Sequence, residues 1–462
     1  GSEMCIRDRS KSMKRLSSGY KINSAEDNPA GMAISNKMKA QIEALDQAKS
    51  NSSDAQNVMK IADGALSEVS SMLQRIRELA VQGASDTYSE NDKKALQSEI
   101  DELTKEVDRI SGDTEYNTKS LLDGSSDTRV YVRQKDANGN MTQVNSYITR
   151  INFSDNVASD KYELTVNSLA TQATGSLASA TKPDAEGTIS INGVSVAVKA
   201  DMTQDEYIQA LQKAATTAGT TMQVNGDSIS FLSNEYGSDS TVNISLSSSL
   251  KALAGAGYEN ADDGSGNMQL KSNGKDAVVT GGENLSDKTI RADGNRVYVV
   301  GNSGFSMDFL LSSDMDMTAG SSNLQIDISD IGNMAVQIGA NEGQEMKIRI
   351  PEVSSQTLYL DTVDVTVKGG ADKAMSTLDE AIEYVSGVRS RIGAFQNRLE
   401  SAESSLSETS ENMTGAYSNI MDTDMATEMT EYAAQNILDQ AGISVLSQAN
   451  DLPQQVLSLL SR

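Results

Sequence analysis

Apolar residues alternate by three and four through Met59, Ala62, Leu66, Val69, Leu73, Ile76 and Ala80. That spacing predicts a helix with a continuous heptad stripe on one face. Leu96, Ile100, Leu103, Val107 and Ile110 continue the rhythm. Residues 83–89 between the two runs read as a turn, with Ser89 placed to cap the second helix. Residues 11–110 are therefore expected to be largely helical, and Asn28-Pro29 reads as a helix start with proline at the first helical position.

The far end of the chain mirrors this pattern. Ala381, Val385, Val388, Ile392, Phe395, Leu399, Ala402, Leu406, Thr409, Met413, Ala416 and Ile420 hold the heptad spacing. A lone helix would leave such a stripe in water, and the nearest available partners are the two stripes at the other end, so both chain ends are expected to pack as a bundle.

Between them, from about residue 123 to 327, Gly, Ser, Thr, Asn and Asp alternate with apolar residues, a pattern of strands and turns. Ile189 and Ile191, then Asn192-Gly193, then Val194, Val196 and Val198 predict a hairpin with a type I′ turn. A short helix over about 204–215 comes next. Met222 and Val224, Asn225-Gly226, then Ile229 and Phe231 repeat the hairpin signal, giving a ββαββ-like module near 187–232. Further strands are expected at 297–300 and 323–328. The fold class expected is α+β multidomain, a long α-helical coiled-coil rod formed by both chain ends with a β-rich insertion in the middle.

Composition narrows the chemistry. With 39 Lys and Arg against 65 Asp and Glu, the formal net charge of the 462-residue chain is −26, which disfavours nucleic acid and anionic lipid as partners. Aromatic residues make up only 4% of the chain and Trp is absent, which favours elongated helical packing. Histidine is also absent, which removes the commonest general base and metal ligand. The lone Cys5 can close no internal disulfide. No apolar run of bilayer-spanning length and no secretory signal pattern stands out, so membrane insertion is not expected. No nucleophile elbow or phosphate loop is present, so no catalytic residues, cofactor or metal are expected. The acidic clusters Asp262-Asp263 and Asp314 with Asp316 lack EF-hand spacing and read as solvated loops.

Residues 15–23 (Arg-Leu-Ser-Ser-Gly-Tyr-Lys-Ile-Asn) followed by 31–34 (Gly-Met-Ala-Ile) resemble the N-terminal signature of the bacterial flagellins. Residues 74–82 (Gln-Arg-Ile-Arg-Glu-Leu-Ala-Val-Gln) resemble that family's first rod helix, and 336–341 (Val-Gln-Ile-Gly-Ala-Asn) its strand at the rod's outer edge. Residues 390–399 (Ser-Arg-Ile-Gly-Ala-Phe-Gln-Asn-Arg-Leu) and 422–429 (Asp-Thr-Asp-Met-Ala-Thr-Glu-Met) match near the other end. The resemblance divides the chain into several segments. Residues 1–9 fit neither the periodicity nor the composition of the helical arm and read as a scar or artefact in place of the family's own N-terminal stretch. Residues 10–122 form an N-terminal helical rod arm, and 123–327 a variable insert. Residues 328–369 come next as rod-edge strands, 370–424 as the C-terminal rod helix and 425–462 as a terminal-layer helix.

The resemblance implies a structural subunit that polymerises head to tail into an extracellular flagellar filament for motility. It implies export as an unfolded chain by the flagellar type III route, without a cleaved signal peptide. The partners implied are other flagellin subunits, an export chaperone at the C-terminal helix, the filament cap and junction proteins, and the Toll-like innate receptor for flagellin. By motif position, Arg75, Leu79 and Glu106 correspond to receptor contacts. Gly442, Asn450 and Pro453 interrupt the last apolar stretch, fitting a segment that orders only on assembly. Met425, Met429, Tyr432, Ile437, Leu438, Ile443, Val445, Leu446, Val456, Leu459 and Leu460 then form the polymerisation and chaperone interface. The competing readings are the hook-filament junction protein and an extracellular coiled-coil adhesin whose insert does the binding.

Overall fold

A computed structural model describes residues 2–135, 141–154, 156–260, 266–317, 320–329 and 331–460, with the side chains of residues 2–5, 303, 452 and 454–460 excepted. Six helices punctuate the described chain: α1 (Ser2–Ser18), α2 (Pro29–Ala84), α3 (Glu90–Asp113), α4 (Gln204–Thr217), α5 (Gly370–Met421) and α6 (Met425–Leu460). Local chemistry sets their starts. Asn28 Oδ1 accepts the Gly31 N–H at 2.9 Å, capping α2 just before Pro29. Ser89 caps α3 in a reciprocal box with Asp92.

The chain forms two compact units, one of residues 1–57, 335–347 and 395–462, the other of residues 58–334 and 348–394. In the second unit the α2 stripe from Met59 to Ala80 is fully buried, as are Ala381, Val385, Val388 and Ile392 of α5 and Ile100 and Val107 of α3. Arg389 bonds Asp63 at 3.0 Å and Arg77 bonds Asp379 at 2.6 Å, so α2 and α5 run antiparallel. Residues 350–365 fill the remaining space with buried Ile350, Val353, Leu358, Leu360, Val363 and Val365. Their backbone needs partners away from water. The Gln97 side-chain amide supplies two, donating to Val363 O and accepting from Val365 N, both at 2.9 Å. Asp108 accepts the Ser355 N–H and hydroxyl at 2.7 Å each.

In the first unit Leu45, Ala48 and Leu406 make a smaller core, and Ser52 donates to Leu399 O at 3.3 Å. The heptad seam loosens here: Leu399 and Leu406 are buried, whereas Ala402, Met413, Ala416 and Ile420 are half-buried and Thr409 is exposed. The short strands Met334–Gln337 and Glu345–Ile348 pair with each other, and Asn51 of α2 donates to Gln337 O at 3.2 Å.

The β-rich middle is two sandwiches, one nested in the other. The outer one pairs a sheet ordered Val278–Gly281, Lys161–Ser168, Ser322–Ile328, Val130–Lys135, Met141–Gln143 with a sheet ordered Thr289–Asp293, Arg296–Val300, Ser306–Leu311, Ile148–Phe153. Their inner faces share one core that includes Leu164, Val166, Ile326, Val299 and Phe309. The inner sandwich leaves and rejoins it at an antiparallel bridge between Thr171 and Lys275. Its sheets are ordered Glu259–Asn260, Met268–Asn273, Thr241–Leu246, Gly187–Ile191, Val194–Val198 and Thr220–Asn225, Ser228–Tyr236, Gln172–Leu177. Helix α4 seals this core with Tyr207, Leu211, Ala214 and Ala215. The predicted ββαββ run is present in sequence order, but its two hairpins lie in different sheets. Each needs strands distant in sequence to bury its apolar face.

The first hairpin turns at Asn192 and Gly193, with φ of 46° and 80°, the left-handed pair a type I′ turn requires. The second turns one residue later than its sequence signal suggests. Asn225 pairs with Ser228, leaving Gly226 and Asp227 at the centre. Only Gly226, at φ 65°, is left-handed, which fits a turn with glycine first.

Arg296 ties the outer sandwich to α5. Its guanidinium donates to Glu380 at 2.6 Å and Asp308 at 3.2 Å and lies over the rings of Tyr298 and Tyr359, 4.7 and 4.2 Å from their centres. Arg150 covers the Tyr359 ring at 4.8 Å and bonds Asp361 at 2.5 Å. Arg150 and Tyr359 both sit at positive φ, 53° and 56°, conformations that persist where surrounding contacts over-determine them.

Burial pushes the Asp308 carboxyl above its usual range, against the pull of Arg296. A raised acid binds its proton more readily in the folded state, so its contribution falls as pH rises through that range. Arg296→Ala is therefore expected to cost about 1–3 kcal/mol at neutral pH, because it leaves the half-buried Asp308 carboxylate without its partner. The deficit should narrow as pH is lowered through the carboxylate range and Asp308 takes up a proton; urea unfolding of both proteins across pH measures this. For the helical seam, Leu73→Ala should cost about 2–5 kcal/mol in the same measurement.

Candidate functional site

Two surfaces gather the residues that the sequence marks as functional. The first is the pair α1 and α6. The chain after α1 forms a bridge from Tyr20 to Asp422, and Thr423 donates to Gly19 O at 3.0 Å. Arg15 then reaches Glu428 at 3.6 Å and Arg9 reaches Asp439 at 2.7 Å, so the two helices run antiparallel. Helix α1 thus passes through residues 2–9, the stretch whose composition sets it apart in the sequence.

Burial along α6 is the reverse of an ordinary amphipathic helix. Glu428 and Asp439 are 6% and 5% exposed, and with the half-buried Gln435 each keeps one side-chain oxygen without a hydrogen-bond partner. They recur at helical spacing as a polar seam. Meanwhile Met429 is 56% and Ile437 67% exposed, and Met425, Leu438, Ile443, Val445 and Leu446 are exposed too, as are Ile6 and Met13 of α1. Tyr432 is half-buried. The side chains of Val456, Leu459 and Leu460 lie outside the described residues. Where Gly442, Asn450 and Pro453 suggest interruptions, the chain instead continues as one helix through all three. Every side chain from Ile443 to Asp451 is exposed, so this length of α6 gains nothing from burial in the single chain.

The second surface is the face of α2 and α3. Arg75 donates from Nε and Nη2 to Glu99 Oε1 at 3.0 and 2.8 Å and from Nη1 to Glu78 at 3.1 Å. The bond to Glu99, with that to Glu78, raises the Arg75 pKa above its ordinary value. Glu106 is held instead by Arg109, at 2.5 and 2.8 Å, and that bond lowers its pKa. Arg75 and Glu106 therefore do not pair with each other. The cross-helix partner is Glu99, which the motif reading passes over because one acidic residue on a helix rich in them carries no distinguishing signal. Leu79 corrects the motif reading further. It is 1% exposed, packed into the helical core, and out of reach of any partner docking on this surface.

Among the described residues no cluster of three or more His, Cys, Asp or Glu side chains could hold a metal ion; Asp262 and Asp263 lie outside them. No described helix is long and apolar enough to cross a membrane. Neither surface assembles a nucleophile, a base and an oxyanion site. Both offer docking area.

The sequence model of the bacterial flagellin N-terminal helical region matches residues 6–127, and that of the C-terminal helical region matches residues 375–460. A flagellin of Clostridium tyrobutyricum is 32% identical over 96% of this chain and 94% of its own length. A flagellin of Salmonella rubislaw is 29% identical over 97% and 94%, and flagellin D of Vibrio anguillarum is 28% identical over 97% and 93%. A hook-associated protein of Legionella pneumophila aligns in structure over 83% of this chain and 98% of its own, at 15% identity and a TM-score of 0.31, too low to bear on the choice of family. With both helical ends and nearly the whole length accounted for, the chain belongs to the bacterial flagellins, the structural, non-enzymatic subunits of the extracellular flagellar filament.

Proposed function

We propose that the chain joins its filament through the outward face of α1 and α6, with Met425, Met429, Ile437, Leu438, Ile443 and Leu446 entering the contact between subunits and Tyr432 at its margin. The observation that carries this is the reversed burial of α6, polar seam inward and apolar face outward. Burying a large aliphatic side chain is worth about 1.5–3 kcal/mol, so several at one contact offset the ordering of the helix pair. Val456, Leu459 and Leu460 extend the same apolar series in sequence. A contact between two unlike surfaces that does not close on itself builds a helical polymer.

The same exposed series is the natural target of a helical export chaperone while the chain is held unfolded for the flagellar type III route. The cap and junction proteins meet the polymer at its ends through the same class of contact. On α2 and α3, the exposed guanidinium of Arg75 and the carboxylate of Glu106 are the groups available to the Toll-like receptor for flagellin, with Leu79 supporting that face from beneath. An exposed arginine held in place by Glu99 and Glu78 is preorganised for a role at the centre of such an interface.

Ile437→Asp combined with Met429→Asp should abolish elongation from filament seeds while leaving monomer circular dichroism unchanged, because both side chains face solvent in the single chain. Elongation at the parental rate, followed by light scattering and electron microscopy, would rule out this interface. Arg75→Ala should weaken binding to the purified receptor ectodomain by roughly tenfold, a hot-spot loss. Unchanged affinity in surface plasmon resonance would remove Arg75 from the receptor face.

A further inference from the structure

Two Asn-Gly pairs form hairpin turns in this chain, at Asn192 and Asn225, and the dipeptide is also the one most prone to self-modification. The glycine nitrogen can attack the asparagine side-chain carbonyl because no Cβ obstructs it. Four such pairs occur, at Asn138, Asn192, Asn225 and Asn273, and the last three lie among the described residues.

The tertiary structure treats these three differently. Asn192 has its side chain fixed at both ends: Oδ1 accepts the Asn243 N–H at 2.8 Å, and Nδ2 donates to Ala218 O at 3.1 Å and Thr241 O at 3.0 Å. Rotating its amide carbonyl toward Gly193 N would break all three bonds. Asn273 is blocked at the nucleophile instead, because Gly274 N donates to Ser240 O at 2.9 Å. A side chain at Gly274 would run into the backbone carbonyls of Thr171 and Gly237, so the chain is closely packed there.

Asn225 has neither restraint. It is exposed at the end of its strand, and its amide makes one long bond, to Ser230 Oγ at 3.3 Å. Gly226 has open space around it, and its N–H makes no backbone hydrogen bond among the described residues. In addition, Ser228 Oγ donates to Asn225 O at 3.1 Å. That carbonyl shares a peptide group with the Gly226 N–H, so the bond draws electron density from the nitrogen and makes its proton easier to remove.

We propose that Asn225 is a built-in site of spontaneous deamidation, promoted by Ser228, whereas Asn192 and Asn273 are protected by the fold. Hydroxide or water removes the Gly226 amide proton, and the nitrogen forms a bond to Asn225 Cγ. The Cγ–Nδ2 bond breaks and ammonia leaves, closing a succinimide. Water then opens the ring. Cleavage between Gly226 N and Cγ gives aspartate, and cleavage between Gly226 N and the main-chain carbonyl carbon gives isoaspartate, with no net oxidation or reduction. Either product places a new negative charge beside Asp227, and isoaspartate lengthens the main chain at the hairpin end. On an extracellular polymer this marks the insert with the time since folding.

The test is peptide mapping by tandem mass spectrometry of the purified full-length chain incubated in mildly alkaline buffer, with a urea-unfolded sample beside it. In the folded sample, aspartate and isoaspartate should appear at 225 while 192 and 273 stay amide; in urea all three should convert. Ser228→Ala should slow conversion at 225 in the folded protein and leave the urea rate unchanged. The proposal is overturned if folded Asn225 stays amide while the urea sample converts, or if Asn192 or Asn273 reacts as fast as Asn225 in the fold. An unaltered folded rate in Ser228→Ala would remove the assisting role of Ser228.

Discussion

Everything in the larger unit hangs on one seam, where the apolar stripe of α2 meets that of α5. The two stripes come from opposite ends of the chain, and neither can be buried without the other. The helices run antiparallel, as Asp63 with Arg389 and Arg77 with Asp379 register them. The chain leaving α3 has to return to the start of α5, and its outgoing and incoming segments lie side by side. Val353 N donates to Leu122 O, Ile350 N to Ser126 O and Arg129 N to Ile331 O. The same device recurs at the bridge between Thr171 and Lys275, where the inner sandwich enters and leaves. Insertions whose ends already lie together add little loop-closure entropy, which is why two domains can be nested there without disturbing the seam.

Against that seam, α1 and α6 follow a different logic. The α2 stripe is apolar and fully buried, whereas the face α6 turns to α1 carries Glu428, Gln435 and Asp439. A polar seam of this kind adds little net stability but holds a register, because a shifted partner leaves charges uncompensated. The apolar residues of α6 are thereby directed outward. That exposure is the observation on which the proposed contact between subunits rests.

Much of this was legible from spacing alone, and particular residues show why. The stripe positions from Met59 to Ala80 are buried because heptad periodicity is a local property that directly fixes which face a helix hides. Ser89 and Asn28 cap helices because capping involves only neighbours in sequence. The turn at Asn192 and Gly193 follows from the left-handed preference of that dipeptide. Leu79 and Glu99 mark the limit. The spacing places Leu79 on the same helix as Arg75, but only the third dimension shows it pointing inward and Arg75 reaching Glu99.

The sequence by itself determined the heptad helices α2, α3 and α5, the starts at Asn28 and Ser89, the separation of a β-rich middle and, through its motifs, the family. Each of these rests on contacts between residues close in the chain or on patterns repeated along it. Tertiary structure alone decided which sheet each strand joins, how one sandwich nests in another, which face of α6 is left uncovered, and which asparagine is free to react. Those outcomes depend on partners far apart in sequence, such as Asn192 with Asn243 or Gly274 with Ser240, and no local pattern records a meeting that only the folded chain brings about.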